Sequence, residues 1–220
     1  MENIQDYIQQ FQLPIAPTVM HELKLVCFEK NEPILIAGEQ INAFYLLIEG
    51  KYQVTTTEVT GKSLLLRFCS SLSLLGDIEY FQNLPIQSDI TATTNCRLIE
   101  IPFTVYEHFL KQTDFNQYLL EELSYKLHTC TIASRVNSTA SVETRFAAYL
   151  CTIHEDGKFG QQLIGNHPHD IASLIGTTPR HLNRVIKKWS ELRILSRLDQ
   201  QLQIHDWDTI QKLSEQIRYE

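Results

Sequence analysis

The sequence predicts an α+β chain: an N-terminal antiparallel β-roll of the jelly-roll type, one long helix, and a C-terminal winged helix-turn-helix. Three observations predict it. Short apolar runs alternate with turn signals from Leu25 to Pro102, apolar residues recur three and four apart between Asn116 and about Val136, and two capped helical segments followed by a hairpin pattern occupy Asp170 to His205. A length of 220 residues suffices to bury a good core in more than one domain. The expected boundaries are 1–112 for the β-roll, 113–140 for the long helix and 141–220 for the C-terminal domain.

The β-roll runs are Ile34-Leu35-Ile36, Phe44 to Ile48, Tyr52-Gln53-Val54, Leu64 to Phe68 and Cys96 to Ile101. Gly38-Glu39, Glu49-Gly50-Lys51, Gly61-Lys62, Gly76-Asp77 and Asn83-Leu84-Pro85 are the turn signals between them. Strand-sized pieces at this spacing form a small antiparallel barrel or jelly roll, which either encloses a small-molecule site or is packed solid. In the long helix Leu120, Leu123, Leu127 and Cys130 follow at 3-4-3 spacing, the seam of a paired helix. A helix lying on its own β-roll fits the same pattern. Toward Ser134 and Asn137 the seam turns polar, which leaves room for the helix movement a switch requires.

The stretch DIASLIGTTPRHLNRVIKKW, Asp170 to Trp189, is the most informative. Ile171, Leu174 and Ile175 put an apolar stripe on a short helix, and Gly176 ends it because glycine takes the left-handed conformation without steric cost. Thr178 caps a second helix and Pro179 suits its first position, where no N–H is needed. Leu182, Val185, Ile186 and Trp189 form the buried face, and Arg180, His181, Asn183, Arg184, Lys187 and Lys188 the opposite one. Two short helices about a tight turn, the second one basic, describe a helix-turn-helix that docks on DNA. Ile194 to Arg197 and Leu202 to His205, around Asp199-Gln200-Gln201, predict the hairpin of a wing. Asp206 then caps a final helix over Trp207 to Ile217.

Charge is divided along the chain. Residues 1–144 hold 9 Lys and Arg against 17 Asp and Glu, a balance of −8, whereas residues 145–220 hold 10 against 9, a balance of +1. Between Pro179 and Arg197 stand six basic residues and one acid, Glu191, a local patch sufficient for phosphate contact. No apolar run spans a bilayer and the acidic, amphipathic start is not a signal peptide, so the expectation is a cytoplasmic protein without a membrane partner. Cysteines 27, 69, 96, 130 and 151 lie far apart and read as buried free thiols. His167 and His169-Asp170 lack a nearby third ligand, so no metal and no cofactor is expected.

Ala37-Gly38-Glu39, then Phe44-Tyr45-Leu46-Leu47-Ile48-Glu49-Gly50-Lys51, Leu75-Gly76-Asp77-Ile78 and Arg145-Phe146-Ala147-Ala148-Tyr149-Leu150 precede the helix-turn-helix in a fixed order. In that order and spacing the chain resembles the cyclic-AMP receptor protein/Fnr superfamily of bacterial transcription regulators over nearly its whole length. The resemblance implies a cyclic-nucleotide-binding-like β-roll and a homodimer paired through the long helix at Leu120, Leu123, Leu127 and Cys130. Two recognition helices one turn of DNA apart then read a two-fold symmetric operator, with RNA polymerase as a further partner. Carried onto this chain, Pro179, Arg180 and Arg184 face base edges, and Thr178, His181, Lys187 and Lys188 face phosphate. Arg180 stands where the family usually has an acid that accepts from cytosine. A guanidinium only donates and pairs best with guanine, so the half-site differs from the family's common TGTGA-like sequence.

The effector pocket departs from the pattern as well. Its expected lining is Gly76, Asp77, Gln87, Ser88 and, from the long helix near the purine position, Thr131 beside Cys130. Cyclic-nucleotide binders place an Arg just over ten residues after the Gly-acid pair, and a two-pronged guanidinium contact holds the phosphate. Here that segment reads Ile86-Gln87-Ser88-Asp89, and Arg67 and Arg97 lie elsewhere. The expectation is a sensor that does not bind cyclic nucleotides and answers to an unidentified small effector, to a redox change at a thiol, or to none. A β-roll responding to a cyclic nucleotide is the alternative. An oxygen-sensing cluster fails for want of cysteines near Cys27, and for haem His21, Cys27 and Cys69 are merely available. A cupin-type enzyme is the remote alternative, since it needs several His inside the barrel and the first 110 residues hold only His21 and His108. No other catalytic pattern appears, so the chain is not read as an enzyme.

Overall fold

The computed structural model describes residues 4–57, 63–70, 72–111, 113–154, 167–198 and 201–218. The chain divides into two compact units, Met1–Ser63 with Cys69–Lys126, and Leu64–Phe68 with Leu127–Glu220. The turn signal at Gly61-Lys62 and the wing turn at Asp199-Gln200 lie outside the described residues.

The first unit opens with helix α1 (Ile4–Gln10) and a 3-10 turn (Pro17–Glu22). Strands β1 (Lys24–Phe28), β2 (Pro33–Leu35), β3 (Ala43–Glu49), β4 (Tyr52–Thr57), β5 (Ser63–Cys69), β6 (Leu74–Leu75), β7 (Asp89–Ala92) and β8 (Cys96–Pro102) make two four-stranded sheets, in the orders β1-β8-β3-β6 and β2-β7-β4-β5, with the middle of β5, Leu64–Phe68, counted in the second unit. Helix α2 (Asp77–Gln82) interrupts the strands, and α3 (Phe103–Val105) runs on into a π-helical turn, Tyr106–Leu110.

The run from Phe44 to Ile48 is unbroken because both faces of β3 are buried. Phe44, Leu46 and Ile48, with Ile99 and Ile101 of β8, join one core with Tyr7, Tyr106, Phe115 and Leu119. Leu47, with Leu98 and Cys96, points the other way into a second core with Tyr52, Val54, Leu75 and Ile90. Antiparallel register pairs Phe44 with Ile101 and Leu46 with Ile99, so the alternation of the two strands matches. Two strands are not marked by apolar runs, for physical reasons: β6 has two residues, and β7 alternates Asp89, Ile90, Thr91 and Ala92. The edge strand β1 carries the run Leu25 to Phe28 with its side chains exposed or half-buried.

The long helix α4 (Asp114–Thr139) has one buried row and one open row. Phe115 and Leu119 pack into the β-roll core, and Lys126, Thr129, Ile132 and Val136 continue this buried row. Beside it Leu123 is half-buried, Cys130 is exposed, and Leu120 and Leu127 are 50% and 71% exposed.

In the second unit α5 (Val142–His154) is buried along nearly its whole length, from Thr144 to Thr152. The helices α6 (Pro168–Leu174) and α7 (Pro179–Glu191) follow, and α7 turns Leu182, Ile186 and Trp189 inward, the Trp189 ring stacking on Phe146 of α5 at 5.1 Å. Strands β9 (Leu195–Leu198) and β10 (Gln201–Ile204) pair antiparallel as the wing. The final helix α8 is shorter than the apolar spacing implies, Trp207–Leu213, because Glu215 and Gln216 take φ of 52° and 60°. Asp206 caps it through Thr209, and Trp207 stacks on His154 at 3.9 Å instead of entering the core.

Candidate functional site

The turn between α6 and α7 is fixed from two sides. Gly176 takes φ +61°, and a Cβ there would lie 3.2 Å from the Arg145 guanidinium and 3.3 Å from Asn137. Arg145, itself buried, donates from Nη1 to the carbonyls of Ile175 at 2.6 Å and Gly176 at 2.9 Å. The Ile175 carbonyl, at the C-cap, is one of the acceptors that α6 leaves without an intrahelical donor, so a cation is favoured there. Thr178 Oγ1 accepts from the His181 N–H at 3.3 Å and Pro179 opens the helix. The hydroxyl assigned to phosphate thus serves as the helix cap.

Downstream of that cap the exposed face carries Pro179, Arg180, His181, Asn183, Arg184, Lys187 and Lys188, while Leu182, Ile186 and Trp189 are buried. Arg180 and Arg184 lie one turn apart at the start of the helix, the part that reaches base edges in a major groove. Lys187 approaches Glu191 at 4.0 Å, an exposed pair of little energetic weight. Lys188 is held more closely. Its Nζ lies 3.0 and 2.9 Å from the two carboxylate oxygens of Glu143 on α5, and Oε1 of that carboxylate also accepts from Trp189 Nε1 at 2.7 Å. Burial pushes the Glu143 carboxyl up, but the Trp189 and Lys188 hydrogen bonds and the ammonium charge outweigh it and hold the group below its ordinary value. The family pattern assigned no role to Glu143. Its signal is a pair of charges, Glu143 and Arg145, at the head of an otherwise apolar helix.

The expected effector residues are placed differently from one another. Gly76 takes φ +89°, where a Cβ would come 2.8 Å from the Ala43 carbonyl, so only glycine fits this cap of α2. Asp77 is buried, and Lys126 of α4 meets it at 2.6 Å while donating also to the Leu74 carbonyl at 2.8 Å. A cation therefore does face Asp77. It comes from the long helix, outside the β-roll segment where the family pattern places an arginine. Its signal is a lysine seven residues after Leu119 and three before Thr129, in register with the buried side of α4. Gln87 is exposed and bonds locally to Pro85, Ser88 is half-buried, and Thr131 is exposed with its hydroxyl on the Leu127 carbonyl. Asp89, at the end of the segment that lacks the arginine, accepts from the Ala37 N–H at 2.9 Å and so ties β7 to the Gly38 turn. Arg97 is turned to Tyr7 and Glu49.

Of the five thiols Cys69, Cys96 and Cys151 are buried, but Cys27 and Cys130 are exposed, against the uniform burial expected. Cys27 sits on the edge strand, none of whose side chains is fully buried, and Cys130 on the open side of α4. His21 lies in the 3-10 turn and His108 in the π-helical turn, outside the strands. Among the described residues no group of three or more His, Cys, Asp or Glu is arranged to hold a metal, and no helix is long and apolar enough to cross a membrane.

Two family models match the two ends of this architecture. A cyclic nucleotide-binding domain model covers residues 25–113, and a Crp-like helix-turn-helix domain model covers residues 144–213. The cAMP-activated global transcriptional regulator CRP of Pasteurella multocida (strain Pm70) is 22% identical over 187 residues, 77% of this chain and 84% of that protein. Among solved structures, a CRP-family transcriptional regulator of Thermus thermophilus matches with a TM-score of 0.71 at 15% identity, covering 86% of this chain and 96% of its own. The c-di-GMP responsive global regulator CLP of Xanthomonas campestris matches with a TM-score of 0.72 at 16% identity, over 91% and 99%. The structural likenesses establish the fold, and the two domain matches fall on the β-roll and on the helix-turn-helix in the expected order. The chain belongs to the cyclic-AMP receptor protein/Fnr superfamily of transcription regulators.

Proposed function

We propose that this regulator is a cytoplasmic homodimer that binds a two-fold symmetric DNA site, works with RNA polymerase, carries out no catalytic step, and does not respond to cyclic nucleotides. The observation that carries the DNA reading is the capped start of α7, with Arg180 and Arg184 exposed one turn apart above a buried Leu182-Ile186-Trp189 face. Pro179, Arg180 and Arg184 face base edges, and His181 and Lys187 face phosphate with the Thr178 cap beside them. The open stripe Leu120, Leu123, Leu127 and Cys130 is the dimer seam. The β-roll reading rests on Asp77, whose carboxylate is already paired with Lys126 in a buried site, and on the lack of an arginine at Ile86 to Asp89. Selecting bound sequences from a random DNA pool tests the whole. The expected product is a two-fold site whose affinity exceeds that of scrambled DNA at fixed salt and falls steeply as salt rises. Equal binding to all sequences would sink it.

A β-roll that takes a cyclic nucleotide is the second reading, favoured by the domain match over residues 25–113 and by the retained Gly76-Asp77 turn. Titration calorimetry with cyclic AMP, cyclic GMP and c-di-GMP separates the two readings.

A further inference from the structure

Arg180, Arg184 and Lys188 stand four residues apart and form one row along α7. The three differ in their surroundings. Among the described residues no ion pair involves Arg180 or Arg184, whereas Lys188 is bonded to both oxygens of Glu143 at 3.0 and 2.9 Å. The carboxylate is itself fixed, because its Oε1 also accepts at 2.7 Å from the indole of Trp189, a fully buried residue. The pair is nonetheless open to a competitor, since the Lys188 side chain is 58% exposed.

Resting on the reading of α7 as a recognition helix, we propose that Glu143 takes the place of a DNA phosphate at Lys188, an internal counter-ion that DNA has to displace before Lys188 contributes to binding. An anion presenting two oxygens to an ammonium is what a phosphate also offers. The far end of the row is where a helix inserted N-terminus first leaves the groove and meets the sugar-phosphate backbone. Glu143 lies in the first turn of α5, three residues after Ala140, which follows the end of α4. The placing of that turn against α7 therefore decides whether the row offers two cations or three.

The salt dependence of binding to the selected operator tests this. Glu143→Gln keeps an oxygen for the Trp189 N–H and removes the charge. Releasing one lysine to phosphate in each half-site makes the slope of log K against log salt steeper by about 1.8, so affinity lost between about 50 and 200 mM salt grows roughly twelvefold. In a Lys188→Ala background the same substitution changes neither slope nor affinity. An unchanged slope in Glu143→Gln, or an equal change without Lys188, overturns the proposal. Wild-type protein that binds no DNA overturns the recognition-helix reading instead. Acylation of the wild-type protein supplies a test that needs no variant. Lys188, held by two oxygens, labels more slowly than Lys187 in the free protein, and equal labelling would also overturn the proposal.

Discussion

At the scale of single residues, charges decide the behaviour of this chain. Arg184→Ala is expected to weaken operator binding by about 1–3 kcal/mol and to relax preference at one base pair per half-site, as measured by competition with single-base variants of the operator. A uniform loss over all sequences would place Arg184 on phosphate instead. In the β-roll, Asp77→Ala removes the carboxylate that Lys126 meets at 2.6 Å in a buried ion pair, and is expected to cost about 3–5 kcal/mol in chemical denaturation. Replacing both partners, Asp77→Leu with Lys126→Met, should recover most of that loss, because the penalty lies in the uncompensated charge. A double variant as unstable as the single one would show that hydrogen bonding around Asp77, and not charge, sets the cost. Glu143 adds a pH dependence of known sign. Its carboxyl is held below the ordinary value, so its stabilisation is present above the usual carboxylate range and is lost as pH falls through the lowered value.

At the scale of elements, the two rows of α4 separate what the monomer needs from what the proposed dimer needs. Leu127 is 71% exposed, so Leu127→Asp removes little packing from the monomer. In the proposed seam it would bury a charge. Light scattering at micromolar concentration should show a dimer for the wild-type protein and a monomer for Leu127→Asp, with unchanged secondary structure. A wild-type monomer would refute the seam. The elements legible in the sequence were those with a strong period or a strong cap: β3, β8, the wing strands and α7, whose Thr178 cap and Leu182-Ile186-Trp189 face recur in the structure. The elements not legible were stabilised by distant partners. The two-residue strand β6 is defined by pairing to β3, and α2 follows the left-handed Gly76 turn with Ile78 and Phe81 exposed. The same holds in the candidate sites. Arg180 and Arg184 could be placed from helical spacing alone. Lys126 with Asp77 and Glu143 with Lys188 could not, because these partners stand 49 and 45 residues apart.

At the scale of the whole molecule, the expected outcome of calorimetry with cyclic AMP is no measurable heat at physiological concentrations. A cyclic phosphate entering beside Asp77 would find the nearest cation, Lys126, already engaged by that carboxylate and by the Leu74 carbonyl. A charge-assisted contact is worth roughly 1.5–3 kcal/mol, and an unpaired buried phosphate costs desolvation besides. Clear heat with a micromolar dissociation constant would mean that Lys126 changes partner when ligand arrives. The buried ion pair has another consequence, which concerns the medium around the protein. Mobile ions screen exposed charges over about 10 Å at 0.1 M but reach a buried pair far less. Arg180, Arg184 and Lys187 stand in that medium, while Asp77 and Lys126 are sealed from it. A rise in cellular ionic strength, as in osmotic stress, would therefore strip this regulator from its operator while its β-roll kept the same internal electrostatics.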